Sequence, residues 1–225
     1  NLTAGVDLIR RAEGAKVHAL ATPLLTKADG TKFGKTEAGT VWLDPTMTSP
    51  YAFHQFFLNA EDAKVIEYLK IFTVRSEEEI AELARQTAES PHLRAAQRAL
   101  ADDITDLVHS PTERASATAA AAALFGRGEL AELDHAVLAA LWHELGEQQM
   151  AVGPDLPTVV DVLAASGVVA SKSAARRAIT EGGAYLNNQK IGDPDVVVSA
   201  ADLLAGRYLI VRRGRRTVGA VELVR

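Results

Sequence analysis

The chain has 225 residues, 48% apolar and 24% charged, with no Cys and a formal net charge of −5. That length exceeds one average domain and that composition supports a packed core, which excludes a mainly disordered chain. No run of 18 apolar residues occurs, which excludes a helical membrane span, and the missing cysteines exclude disulfides, thiolate zinc sites and thiol nucleophiles.

Residues 3–13 place Val6, Ile9 and Ala12 on one helical face, with Leu2 just ahead of them. The stretch 16–25, containing HALATPLL, predicts a short buried strand interrupted by Pro23. A polar loop follows, TKADGTKFGKTEAGT, with four Asp or Gly turn signals. From Ser49 the pattern turns helical. Ser49-Pro50, Ser90-Pro91 and Ser110-Pro111 each pair a serine N-cap with proline at the first helical position. Ser76 with Glu79, and Ser110 with Glu113, also have capping-box spacing. Val65, Leu69 and Phe72 form one helical stripe, and Leu100, Ile104, Leu107 and Val108 another. These signals predict a bundle of four or five helices over 49–124, closed by the alanine run 119–123.

Over 125–154, Leu130, Leu133, Val137, Leu138 and Leu141 suggest a linker that is partly helical, ended by Gly153-Pro154. Beyond it, 158–165 predicts one helix, and Ser171 caps a second that runs to Gly182-Gly183. The segment Ala184-Tyr185-Leu186, Asn187-Asn188, Gln189-Lys190-Ile191 reads as a tight hairpin, because Asn tolerates positive φ. Two more strands are expected over 208–212 and 217–223. The fold expected is mainly α with a small α+β tail domain.

Charge divides the chain. Residues 1–154 carry 14 basic and 22 acidic side chains, whereas 155–225 carry 10 and 7. A basic tail on an acidic body suits a polyanionic partner such as nucleic acid. Within it, Lys172 and Arg176, with Ser173 and Arg177 beside them, share one broad helical face. Arg212, Arg213, Arg215 and Arg216 add a second cluster from another hairpin. Upstream, Lys32-Phe33-Gly34-Lys35-Thr36 sets two ammonium groups three residues apart around a glycine, with a hydroxyl after them. Such a loop can surround a polyphosphate, although exposed lysines are more often plain solvated surface. His135 and His143 have no carboxylate pattern to complete a metal site, and no GxSxG-like elbow places a nucleophile. No protein-bound metal is expected.

KFGKT resembles the KMSKS signature of class I aminoacyl-tRNA synthetases in the form used by bacterial tyrosyl-tRNA synthetases. The flanking NLTAGVDLIRR, PLLTKADGTKFGKT and VWLDPTMTSPYAFHQFFLN resemble the same family. Asp161-Val162-Leu163, Gly167, Ser171-Lys172-Ser173, Ala175-Arg176-Arg177 and Asn187 resemble the RNA-binding module of a small-subunit ribosomal protein, which bacterial tyrosyl enzymes carry at their C-terminus. Phe33-Gly34 stands where the signature has Met-Ser, and Thr36 replaces its last Ser.

The resemblance implies four regions: the end of a Rossmann-type catalytic domain over 1–48, a helical anticodon-binding domain over 49–124, a linker over 125–154, and a small helix-plus-hairpin RNA-binding module over 155–225. It implies ATP-dependent ligation of tyrosine to its tRNA through tyrosyl-adenylate, with ATP as substrate accompanied by Mg2+. Lys32 and Lys35, with Thr36 as an auxiliary donor, would grip the departing pyrophosphate. Leu24 and Leu25 would lie beside the adenine, and Lys172, Ser173, Arg176, Arg177, Asn187, Arg212, Arg213, Arg215 and Arg216 would meet RNA. It also implies a cytoplasmic homodimer. The family's HIGH motif and tyrosine pocket would lie upstream of Asn1, so the chain corresponds to the C-terminal half and is not expected to be active alone.

Other readings stand beside this one. In a non-enzymatic RNA-binding protein the loop would be vestigial. The tryptophanyl relative typically lacks the tail module, and pseudouridine synthases usually carry it at the N-terminus.

Overall fold

The computed structural model describes residues 1–36, 39–214 and 217–224, with Lys35, Thr36 and Gly39 described by their backbone alone. The chain divides into two compact units, Asn1–Thr40 and Val41–Arg225.

In the first unit, helix α1 (Leu2–Glu13) ends at Gly14, whose φ of 64° is the left-handed C-cap that glycine adopts without steric cost. The strand expected over 16–25 does not form; Leu20 and Leu24 are 90% and 67% exposed. A strand is held by hydrogen bonds to a neighbour. Among the described residues of this unit, ladder-like pairing begins only where Phe33 N–H donates to the Leu25 carbonyl and Thr26 bridges Lys32. Strands β1 (Lys35–Thr36) and β2 (Gly39–Thr40) then pair antiparallel.

The second unit opens with five helices among the described residues: α2 (Pro50–Leu58), α3 (Asp62–Phe72), α4 (Glu77–Glu89), α5 (Ala95–Val108) and α6 (Pro111–Leu124). Ser49 caps α2 by accepting from Ala52 N–H at 3.1 Å, and Pro50 sits where a missing N–H goes unnoticed. The Ser76–Glu79 capping box is complete, with reciprocal bonds of 3.2 and 2.8 Å. Ser110 makes only the forward bond, accepting from Glu113 N–H at 3.1 Å. Ser90-Pro91 opens no α-helix but a single 3-10 turn, after which Arg94 turns the chain at φ 49° and α5 begins. The apolar residues that hold α5 start only at Ala96, and Leu93 is half exposed. Phe53, Val65, Leu69 and Leu100 interlock at the centre, each at most 1% exposed. Leu107, expected in the α5 stripe, faces solvent instead.

Residues 125–154 do more than link. Leu130 and, from α7 (His135–Glu144), Leu138 and Leu141 join Ala120, Ala123 and Leu124 of α6 in one core, together with Leu204, Tyr208, Ile210 and Ala220. Strand β3 (Gln148–Ala151) then enters the C-terminal sheet. Leucine periodicity defines a helical face, but only packing decides what that face meets.

Helices α8 (Val159–Ala165) and α9 (Lys172–Thr180) precede β4 (Ala184–Leu186), β5 (Gln189–Lys190), β6 (Tyr208–Arg213) and β7 (Thr217–Val224). The strand order is β3-β7-β6-β4-β5, antiparallel throughout except for β3 beside β7. Alternation along β6 sorts the two faces: Leu209 and Val211 pack with α8 and α9, Tyr208 and Ile210 with α6 and α7. The sheet is therefore a middle layer with helices on both sides. No helix among the described residues is long and apolar enough to cross a membrane.

Candidate functional site

The lysine loop is built from one tight hairpin followed by the antiparallel pair β1–β2. In the first, Lys27 N–H donates to the Thr31 carbonyl at 2.8 Å, and Gly30 supplies a φ of 82°. Asp29 accepts from both the Thr31 hydroxyl and its N–H, at 2.6 and 2.9 Å, and these bonds hold its carboxyl below the usual range. That places Lys32, exposed, on the returning arm opposite Thr26. Gly34, again at φ 82°, reverses the chain before Lys35 pairs opposite Thr40 and Thr36 opposite Gly39. A side chain at position 34 would be strained there, so the departure from Ser at this place in the signature has a conformational reason. The backbone thus puts Lys32 and Lys35 on either side of one glycine turn. Leu24 projects into solvent, and the Leu25 carbonyl is engaged by Phe33 N–H at 3.1 Å.

The second candidate surface is the polar side of α9. Ser171 caps the helix by accepting from Ala174 N–H, while Ala175, Ala178 and Ile179 are buried against the sheet. This leaves Lys172, Ser173, Arg176 and Arg177 exposed on one side, as their spacing predicts. Lys172 Nζ lies 2.6 Å from Asp161 Oδ1 and Arg176 Nη1 lies 2.8 Å from Asp195 Oδ1. The Lys172 ammonium, followed by the Thr158 hydroxyl, holds the Asp161 carboxyl below the usual range. Arg177 has no ion-pair partner among the described residues.

The remaining expected RNA contacts divide. Arg212 crosses from β6 to lie 4.3 Å from the Tyr185 ring centroid on β4, and donates to the Gly214 carbonyl at 3.0 Å. It is a half-buried stacked cation rather than a free one. Arg213, one residue on, is exposed at the end of β6. Arg215 and Arg216 lie outside the described residues, as do the side chains of Lys35 and Thr36. Asn187 is committed inward: its Nδ2 donates to the Asp202 carbonyl at 2.6 Å and its Oδ1 accepts from Ile210 N–H at 3.1 Å. The adjoining Asn188 donates to the Ala123 carbonyl at the end of α6, at 2.6 Å. Sequence reading placed Tyr185 and Asn188 in the hairpin and Asp161 in the tail-module pattern but gave none of them a contact at the site, and it did not single out Asp195. Asp161 carried a further signal in the Thr158-x-x-Asp161 capping spacing, and Asn188 one in the Asn-Asn turn.

Residues 1–126 match the family model described as tRNA synthetases class I (W and Y). The chain belongs to that class I synthetase family. Residues 147–219 match a second model, the tyrosine--tRNA ligase SYY-like C-terminal domain. Among similar curated proteins, a tyrosine--tRNA ligase of Cutibacterium acnes is 60% identical over 98% of this chain and 53% of its own length. One of Streptomyces avermitilis is 58% identical over 99% of this chain and 52% of its own. The chain therefore spans about half the length of the curated relatives it matches. Two synthetase-type matches in the expected order do not favour a vestigial loop on an unrelated RNA-binding protein.

Proposed function

We propose that this chain supplies the pyrophosphate-gripping loop and the tRNA-holding half of a tyrosine--tRNA ligase. The observation that carries the reading is the Thr26–Lys32 hairpin and the β1–β2 pair, which set Lys32 and Lys35 on either side of Gly34, on a chain whose tail matches a tyrosine-ligase domain. In the reaction a carboxylate oxygen of tyrosine attacks the α-phosphorus of ATP, and the bond to the bridging oxygen breaks. Pyrophosphate leaves with that electron pair, and tyrosyl-adenylate remains. Mg2+ enters with ATP as part of the substrate. The tyrosyl group then passes to the terminal ribose of the tRNA, releasing AMP. Negative charge grows on the leaving pyrophosphate in the transition state, so ammonium groups at Lys32 and Lys35 lower the barrier without tightening ground-state ATP. Thr36 would add a hydroxyl donor.

Single-turnover adenylate formation tests this in a protein of the relatives' full length. Lys35→Ala is expected to slow the step by about one to three orders of magnitude, with a far smaller change in ATP KM. A normal rate with weakened ATP binding would remove Lys35 from this role.

The same proposal assigns the exposed face of α9 to RNA phosphates, in a protein that works as a cytoplasmic homodimer. Phosphate contacts release counterions, so tRNA affinity should fall steeply with salt. Arg176→Ala with Arg177→Ala should flatten the slope of log K against log salt by roughly one per lost contact, leaving ATP–pyrophosphate exchange unchanged. Filter binding across a salt series decides it, and an unchanged slope would make this face plain solvated surface.

A further inference from the structure

Two of the three cations on the exposed side of α9 already hold an anion. Arg176 is paired with Asp195 and Lys172 with Asp161, at 2.8 and 2.6 Å. The Asp161 carboxylate is held by its own side-chain bonds, whereas Asp195, 74% exposed at the side chain, is placed by the backbone of its turn. Asp195 sits on a turn closed by its own N–H donating to Asp193 Oδ1 at 2.9 Å, and that segment is tied back to the module where Val197 bridges Thr158. Asp161 spends one oxygen, Oδ2, on the Thr158 cap, which leaves Oδ1 to face Lys172. The cations remain open to solvent, with Arg176 54% and Lys172 71% exposed at the side chain.

We propose that Asp195 and Asp161 occupy the phosphate positions of this face in the free protein, so that an RNA phosphate must displace a carboxylate before Arg176 or Lys172 can hold it. This rests on the reading of α9 as an RNA-binding face. A phosphate arriving alone gains one ion pair and breaks another, so its net gain is small. A backbone that offers several phosphates also reaches Arg177, which has no such competitor among the described residues. Each carboxylate weakens the contact of its own cation, so an RNA that uses both cations must displace both.

The test is a double-mutant cycle on the 225-residue chain, using filter binding to an in vitro transcript of tyrosine tRNA at fixed ionic strength. Asp195→Asn keeps the shape and removes the competitor, and should tighten binding roughly two- to five-fold, the range for an exposed pair. In the Arg176→Ala background the same change should have no measurable effect, because the cation it uncovers is gone. Asp161 is the poorer choice for the variant, since it also caps α8. A gain of equal size in both backgrounds would overturn the proposal in favour of a general charge effect. So would no gain from Asp195→Asn when Arg176→Ala by itself weakens binding. If Arg176→Ala leaves binding intact, the RNA-face reading falls and takes this inference with it.

Discussion

At the scale of single residues, the asparagine pair of the β4–β5 turn shows how local preference becomes structure. Asn187 and Asn188 adopt φ of 46° and 68°, the left-handed pair that a two-residue hairpin of matching twist requires. Asn187 then uses both side-chain ends inside the module, joining the turn to β6 and to the Asp202 carbonyl. Asn187→Ala removes two hydrogen bonds, leaves partners unsatisfied and strains the backbone, and should destabilise by about 1–3 kcal/mol. Asn187→Gly should recover only the backbone share. Urea titration of both variants separates the two contributions; equal losses would mean that the left-handed backbone contributes nothing.

At the scale of elements, the junction of α5 and α6 contains a titratable group that disfavours charge. His109, the C-cap of α5, sets its ring perpendicular to that of Phe53 with centroids 4.8 Å apart, and its buried Nε2 has no hydrogen-bond partner among the described residues. Burial, opposed in part by Glu113, lowers its pKa below the ordinary 6.5. The unfolded chain therefore takes up a proton before the folded one does. The associated stability is present above 6.5 and declines as pH falls through the folded value. His109→Phe should flatten the decline of Tm from about pH 7 to about pH 5 relative to the parent. Thermal melts across that range measure it, and parallel curves for the two proteins would assign the decline to other groups.

At the scale of the molecule, the core shared by α6, α7, β6 and β7 joins the bundle to the C-terminal sheet within the compact unit 41–225, so the two should unfold together. Leu141 is fully buried in that core, Tyr208 meets it from the sheet, and Asn188 fastens the hairpin to the end of α6. Leu141→Ala should cost about 2–5 kcal/mol and lower one transition rather than split it in two. Trp142 donates to the Gln148 carbonyl at 2.8 Å and lies beside Tyr208, so its fluorescence in a Trp42→Phe background reports the junction. Its midpoint should coincide with the far-UV helical midpoint. Separate midpoints would show the two parts unfolding independently.

Helix starts, turns and the lysine loop were legible in the sequence because each is decided within about four residues. A serine before proline at Ser49 and Ser110 though not at Ser90, Thr or Ser three residues before an acid, Asn-Asn between strands, and Gly34 between two lysines act through backbone groups that are close whatever the rest of the chain does. The same locality exposed the polar face of α9, since helical spacing alone gathers Lys172, Ser173, Arg176 and Arg177. What needed a distant partner was not legible. The apolar 16–25 segment has strand composition, yet the described residues of 1–40 offer it no ladder, whereas Gln148–Ala151 becomes a strand because β7 lies open beside it. The stacking of Arg212 on Tyr185 and the capture of Arg176 by Asp195 likewise join residues far apart in the chain. On α9, sequence determined which side chains face outward. Only the tertiary structure decided which of those cations are free to meet an anion, because charge pairing depends on separation in space, and that separation is set by packing.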